Sequence, residues 1–403
     1  MSVPTFAELG VSTPLVRALA KCDIHKPFAI QSLVIGDVLE GHDVLAKAPT
    51  GSGKTLAFAL PMIERIDPNA PRPAALVLAP TRELAVQIVE QTKPLAQARS
   101  LVVSAVYGGV GYDHQARNAR RSDMLVATPG RLLDLMGRGD LTLDHVRYLV
   151  LDEADRMPDM GFRPDVDRIV KATSQNRQTL FFSATLDGEA GKIARAYTGD
   201  DARRHEHAPA VDAPAMVEHR FVGVSRESKL DALIDEIRAD QGERTLVFVR
   251  TKRGADRLAK RLSGRGLKVV AMHGNKSQNQ RTRALAQFED NRVDALVATD
   301  VAARGIDVRD IKRVINFDPP ADHQAYVHRV GRTARAGRSG VGVTFVSELE
   351  SADVEQIVRR LDLAKEFQAA GFPYAERPGR PHSSGGASRS RGRRRSRGSR
   401  TRR

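Results

Sequence analysis

Short apolar runs alternate along this chain with longer stretches whose apolar positions recur at helical spacing. In the first half the runs are "DVLAKA" (43–48), "AALVLAP" (74–80), "LVVSAVYGG" (101–109), "DMLVATPG" (123–130), "YLVLDEAD" (148–155) and "TLFFSAT" (179–185). In the second half they are "HRFVGVS" (219–225), "TLVFVRT" (245–251), "VVAMHG" (269–274), "ALVATD" (295–300), "RVINFD" (313–318) and "GVTFVS" (342–347). Continuous apolar runs bounded by turn residues read as strands buried on both faces, and helical patterns between them predict crossovers of parallel sheets. The fold class predicted is therefore α/β, with two tandem domains, each a mostly parallel sheet flanked by helices. The stretch "RRHEHAPAVDAPAM" (203–216) is poor in large apolar residues and reads as a linker. We expect a first domain over 1–205, a linker over 206–216 and a second domain over 217–370. Residues 371–403 form an Arg/Ser/Gly-rich tail expected to be disordered alone.

Composition narrows the class without changing it. A chain of 403 residues with 41% hydrophobic and 28% charged content can bury two cores and reads as soluble and globular. No apolar run reaches membrane-spanning length, and "MSVPTFAELG" lacks the basic and apolar regions of a signal peptide, so a cytoplasmic location is expected. The single cysteine, Cys22, precludes an intramolecular disulfide, and no Cys/His group has zinc-site spacing. Of the net charge of +15, the segment Arg377–Arg403 carries +11 through eleven arginines, which leaves +4 for the rest.

The chemistry begins at "APTGSGKT" (48–55), between a predicted strand and a predicted helix. Gly51 and Gly53 let backbone N–H groups turn inward around phosphate oxygens at a helix N-terminus. Lys54 reaches the outer phosphates, and the Thr55 hydroxyl is placed to hold Mg²⁺. The alternative is an ordinary glycine turn before a helix. Downstream, "VLDEAD" sets Asp152 and Glu153 at the carboxyl end of a strand, where open α/β sheets bind ligands. Asp152 suits a Mg²⁺ ligand acting through water, and Glu153 suits the base that orients and deprotonates an attacking water. Alone, such an acidic pair can be merely a solvated surface; a phosphate loop in the same domain gives it a task.

With these residues in order the chain resembles the DEAD-box RNA helicases of helicase superfamily 2, whose name is spelled at 152–155. That superfamily writes its phosphate loop A/G-x-x-G-x-G-K-T, which accounts for Ala48 where a glycine is usual and assigns Ala48, Pro49, Thr50, Gly51, Ser52, Gly53, Lys54 and Thr55 to ATP. Further segments match in sequence order: "PTREL" (80–84), "GG" (108–109), "TPGR" (128–131), "SAT" (183–185), "LVFVRT" (246–251), "QNQR" (278–281), "VATDVAARGIDV" (297–308) and "HRVGRTARAG" (328–337). The resemblance implies RNA contacts from Pro80, Arg82, Gly109, Thr128, Pro129, Gly130 and Arg131 in the first domain. In the second it implies them from Thr251, Gly274, Gln278, Arg281 and Thr299. It implies coupling roles for Asp155, Ser183, Thr185 and His328, and an approach of Gly305 and Asp307 to the ribose side of ATP. Arg332 and Arg335 would be arginine fingers supplied across a cleft, a device worth about 10³–10⁵ in rate.

"KPFAIQ" (26–31) resembles the adenine-recognition segment of the family. The Gln31 amide can accept from the adenine amino group and donate to N7, a pairing that guanine cannot satisfy. Phe6, well upstream, is expected to pack on the base. Three places depart from the family: Asp23-Ile24-x-x-Pro27-Phe28 for Gly-aromatic-x-x-Pro-Thr, Pro158 for a usual leucine, and Ala334 for a usual glycine. Pro158 is expected to break helical bonding or fix a turn, and Ala334 to alter coupling or rate.

The function these matches imply is RNA-stimulated ATP hydrolysis with Mg²⁺, coupled to opening of short RNA duplexes or remodelling of ribonucleoprotein, by a core acting as a monomer. Contacts would go to backbone and 2′-hydroxyls, and with 5% aromatic residues little base stacking is available. The basic tail would be an additional RNA tether, or only a solubilising segment. An ATP-gated RNA clamp and a double-stranded DNA translocase are the competing functions.

Overall fold

The computed structural model describes residues 4–48, 51–186, 188–207, 217–239, 242–303, 308, 311–334 and 338–374. Pro49, Thr50, Gly305, Asp307, Arg335, most of the expected linker and the arginine-rich tail lie outside the described residues.

The first domain holds strands Val44–Lys47 (β1), Ala75–Leu78 (β2), Val103–Val106 (β3), Met124–Ala127 (β4), Tyr148–Leu151 (β5), Gln178–Ser183 (β6) and Arg203–Glu206 (β7). They form one sheet in the order β3-β4-β2-β5-β6-β1-β7, with every pairing parallel. Successive residues face opposite sides, so Leu180 and Phe182 enter one core while Phe181 enters the other. This is why the strands read as unbroken apolar runs rather than as alternation.

The second domain repeats the plan with Val217–Gly223 (β8), Arg244–Phe248 (β9), Val269–Met272 (β10), Ala295–Ala298 (β11), Ile311–Asn316 (β12) and Gly340–Val346 (β13). Its order is β10-β11-β9-β12-β13-β8, again parallel throughout. Val247, Val297 and Ile315 fill one face, and Leu246, Leu296 and Val314 the other. No helix among the described residues is long and apolar enough to cross a membrane.

Two expected boundaries move. Residues 203–206, read as the start of the linker, form β7 and pair in register with β1 from Val44↔Arg203 to Lys47↔Glu206. A charged, largely exposed edge strand carries no apolar run, and its charges also discourage pairing with another chain. At the other end, Phe372 and Tyr374 pack against the cluster of Phe221, Tyr326 and Phe367, so the second core continues beyond residue 370. Phe372 stacks on Phe367 with ring centres 4.7 Å apart.

Parallel strands send all their following loops to one edge of the sheet. On that edge of the first domain, the phosphate loop follows β1, "SAT" ends β6 and "DEAD" follows β5, three strands that are neighbours. "PTREL" follows β2, "TPGR" follows β4 and "GG" follows β3, the three strands on the other side. The motif groups assigned to nucleotide and to RNA thus occupy separate halves of one edge and meet between β5 and β2.

Candidate active site

The phosphate loop is anchored before it turns. The Ala48 N–H donates to the Ser183 carbonyl at 3.0 Å, tying the end of β1 to β6. Gly51 and Gly53 both adopt left-handed backbone, with φ of 83° and 85°. A side chain on Gly53 would collide with the Phe28 ring and the Gln31 amide, so glycine is required there for space as well as for conformation. Helix Lys54–Arg65 then begins, and Lys54 is buried with its Nζ donating to the Ala48 carbonyl at 3.0 Å.

Facing this loop are the two carboxylates after β5. Asp152 donates its backbone N–H to Leu78 on β2 at 3.0 Å, and its Oδ1 accepts the Glu153 N–H at 2.9 Å. Burial pushes the Asp152 carboxyl up to about 6, with Lys54 pulling it back. A carboxylate held in that environment is a ready partner for a cation. Glu153 sits in left-handed backbone, φ 49°, a rare state for a residue with a side chain and one that recurs at functional sites. Burial would raise its carboxyl as well, but Arg156, Arg332, Lys54 and His328 together outweigh burial and hold it below the usual range. Arg156 donates to Glu153 Oε2 at 2.7 Å, with both side chains almost fully buried. Arg332 and His328 belong to the second domain, so the positive field on Glu153 comes from both halves of the chain. Asp155 Oδ2 is buried with no hydrogen-bond partner among the described residues. The inward glycines, the buried lysine, the Thr55 hydroxyl and the acidic pair have the donor set and charge that a magnesium nucleotide requires.

The adenine-side expectations divide. Gln31 lies at the loop: its Oε1 accepts the Phe28 N–H at 2.9 Å and its Nε2 donates to the Gly53 carbonyl at 2.9 Å. One lone pair and one N–H of the amide remain. Phe6, expected to pack on the base, is 2% exposed and lies within the core that includes Val11, Leu15 and Ile30. Phe28, noted in the sequence only as a departure, is 59% exposed beside Gly53 and Gln31.

The residues assigned to RNA also divide. Gly109, Thr251 and Gly274 are exposed, and Arg82 and Gly130 are half-buried. Arg82 lies against Gly108 and Gly109, where a side chain would collide with its guanidinium. Thr251 caps helix Lys252–Ser263 by accepting the Gly254 N–H at 2.9 Å. Pro80, Thr128, Pro129 and Thr299 are buried. Arg131 has partners within its own domain: its guanidinium donates to the Val110 carbonyl and to Gln115 Oε1, both at 2.9 Å, and lies 4.1 Å from the Tyr112 ring centre. It fastens "TPGR" to the "GG" loop. Gln278 and Arg281 also have protein partners, across the cleft. Arg281 pairs with Glu83 of "PTREL" at 2.7 Å, both 6% exposed, and Gln278 Nε2 donates to the same carboxylate at 3.3 Å. These three clasp one domain to the other. Glu83 and Arg156 were missed by sequence reasoning. Arg156, three residues after Glu153, had helical i,i+3 spacing as a signal; Glu83 had none, because its partners lie almost two hundred positions away.

The three departures have local explanations. Asp23 and Ala334 adopt positive φ, 61° and 53°, the region that favours the glycine usual at both places. Aspartate tolerates it better than alanine does. Pro158 falls in the first turn of helix Arg156–Asp159, where an N–H would have no helical partner, so no helical bond is broken. Its carbonyl accepts the Gly161 N–H at 2.8 Å and helps shape the following turn.

Two regions match known protein families: residues 28–193 the family described as DEAD/DEAH box helicase, and residues 228–337 the one described as Helicase conserved C-terminal domain. The ATP-dependent RNA helicase CshA of Limosilactobacillus reuteri is 40% identical over 353 residues, covering 87% of this chain and 71% of that protein. The DEAD-box ATP-dependent RNA helicase CshA of Bacillus subtilis is 37% identical over 368 residues, covering 90% and 74%. Among solved structures, S. cerevisiae Dbp5 bound to RNA and ADP BeF3 superposes with a TM-score of 0.80 at 29% identity, covering 91% of this chain and 93% of that one.

Arg156→Gln should cost about 3–5 kcal/mol of stability in urea denaturation, because it strands a buried carboxylate. Adding Glu153→Gln should restore most of that loss, and additive losses would contradict the pairing. Ala334→Gly should stabilise the protein by up to about 1 kcal/mol in thermal unfolding by releasing left-handed strain. A fall in stability would contradict that account of the position.

Proposed function

The chain belongs to the DEAD-box family of ATP-dependent RNA helicases, and we propose that it hydrolyses ATP in response to RNA and uses domain closure to open short RNA duplexes. The observation that carries this reading is Glu153, a buried carboxylate in the positive field of Lys54 of its own domain and Arg332 of the other. Bound ATP with Mg²⁺ supplies the phosphoanhydride to be broken and the cation that neutralises its charge. Lys54 has two N–H groups beyond the one given to Ala48 and holds the outer phosphate oxygens. Thr55 and Asp152 would hold the metal, Asp152 by way of its water shell. Glu153 orients the attacking water and takes its proton. Arg332, with Arg335 as the second finger, offsets charge on the phosphoryl group only when the domains are closed.

Adenine is read at the start of helix Ala29–Glu40, by the remaining donor and acceptor of Gln31 and by the exposed ring of Phe28. RNA is held through backbone and 2′-hydroxyl contacts by the loop ends at Arg82, Gly109, Gly130, Thr251 and Gly274. RNA on the β2 side of the edge reaches the ATP groups through Asp155, Ser183, Thr185 and His328. The Ser183 hydroxyl accepts the Thr185 N–H at 3.2 Å, which stiffens the "SAT" turn for this task. At about 1.4 kcal/mol per stacked step, opening five pairs costs about 7 kcal/mol, within the reach of one closure. The arginine-rich tail adds a sequence-independent tether.

Phosphate release from ATP and from GTP should be measured with no nucleic acid, with structured RNA and with matched DNA. Turnover of ATP stimulated by RNA alone is expected, and stimulation by DNA alone would overturn the RNA assignment. RNA-stimulated turnover without strand separation would reduce the enzyme to an ATP-gated clamp. Phe28→Ala should raise KM for ATP roughly two- to tenfold, the value of one aromatic contact. An unchanged KM would remove Phe28 from the site.

A further inference from the structure

Helix Lys252–Ser263 is built with two faces. Ala255, Leu258, Ala259 and Leu262 are buried against the second sheet. On the outer face, Arg253, Arg257, Lys260 and Arg261 are exposed at spacings of three and four residues. None of the four has a carboxylate within ion-pair distance among the described residues. The one acidic residue of the helix, Asp256, is engaged elsewhere, with His273 at 3.0 Å and Lys276 at 2.9 Å. Over residues 250–268 the sequence holds eight Lys and Arg residues and one acidic residue.

Like charges at i and i+4 weaken a helix, and a glutamate at position 257 would strengthen this one. The unneutralised stripe therefore works against helix stability, and a partner of opposite charge accounts for it. The face offers no apolar anchor: among the described residues the exposed large hydrophobic ones are Phe28, Leu33, Val102, Tyr112, Val327 and Leu349, none of them on this helix. Protein interfaces centre on such anchors, whereas phosphate backbones are held by Lys and Arg alone. The helix starts at Thr251, beside Gly274, and the Lys252 Nζ donates to Asn275 Oδ1 at 3.0 Å across that junction. The stripe thus runs outward from the exposed loop ends of the second domain. Arg253, Arg257 and Arg261 rise along it at about 6 Å per step.

We propose that the outer face of helix Lys252–Ser263 is a second RNA-backbone surface, holding strand that extends beyond the cleft. This rests on the assignment of the cleft to RNA made above. The contacts are to phosphates and carry no sequence preference. Three arginines engaging single-stranded phosphates add about −2 to the slope of log affinity against log salt, roughly 20-fold between 50 and 200 mM.

The full chain and its Arg253→Gln, Arg257→Gln, Arg261→Gln triple variant should be compared for binding to a 6-nucleotide and a 30-nucleotide RNA, each across that salt range. We expect the variant to lose roughly tenfold or more on the long RNA, with a flatter salt slope, while binding to the short RNA and RNA-free ATP turnover stay unchanged. Equal affinity of the two proteins for the long RNA would overturn the proposal. An equal loss on both RNAs would also overturn it, because the arginines would then act in the cleft. Circular dichroism of the variant checks that the helix persists, and Arg257→Glu alone gives an independent arm that should weaken long-RNA binding further per site. Failure of RNA to stimulate ATP turnover in the unmodified protein would count against the cleft assignment, while the binding comparison still decides the stripe.

Discussion

A carboxylate taken out of water must be met by positive charge, and Glu153 imposes that requirement on the whole molecule. Its own domain supplies Arg156 at 2.7 Å and the field of Lys54. The rest comes from Arg332 and His328, at the end of a helix in the other domain. The charge on this buried group is therefore stabilised partly from across the cleft. Electrostatics of one side chain thus links domain arrangement to the reactivity of the base. The Glu83–Arg281 pair acts in the same sense at the far end of the interface, where a first-domain carboxylate is neutralised by a second-domain guanidinium.

The sheet explains why these groups can cooperate. Parallel pairing puts every strand-to-helix loop on one edge, and the order β3-β4-β2-β5-β6-β1-β7 separates the phosphate-loop side from the side carrying "PTREL", "GG" and "TPGR". The two sides meet between β5 and β2, where the Asp152 N–H bonds to the Leu78 carbonyl. A shift of "PTREL" therefore has a short path to the acidic pair. The second domain repeats the architecture without a phosphate loop and is left to provide arginines and basic helix surface.

Much of this was legible in the sequence because periodicity and turn chemistry act locally. The twelve apolar runs are strands, and the loop ends named from motifs sit where strands meet helices. What was not legible has a common cause. An edge strand such as β7 needs no apolar run, since its partner lies on one side only. Arg131, Gln278 and Arg281 carry the residue types of an RNA contact, yet their partners (Gln115 and Tyr112 for the first, Glu83 for the others) are set by tertiary packing. Phe6 stands among apolar neighbours that already argued for a core position. Asp23 and Ala334 show the reverse: both departures stand on a backbone with positive φ, which residue identity alone does not reveal.

The central claim is that hydrolysis waits for a guanidinium from the second domain. It is tested most directly by phosphate release at saturating RNA and ATP for Arg332→Gln, alongside nucleotide binding by the same variant. The account predicts a loss of about 10³–10⁵ in turnover with ATP affinity nearly unchanged. Turnover within a few-fold of the unmodified protein would contradict it.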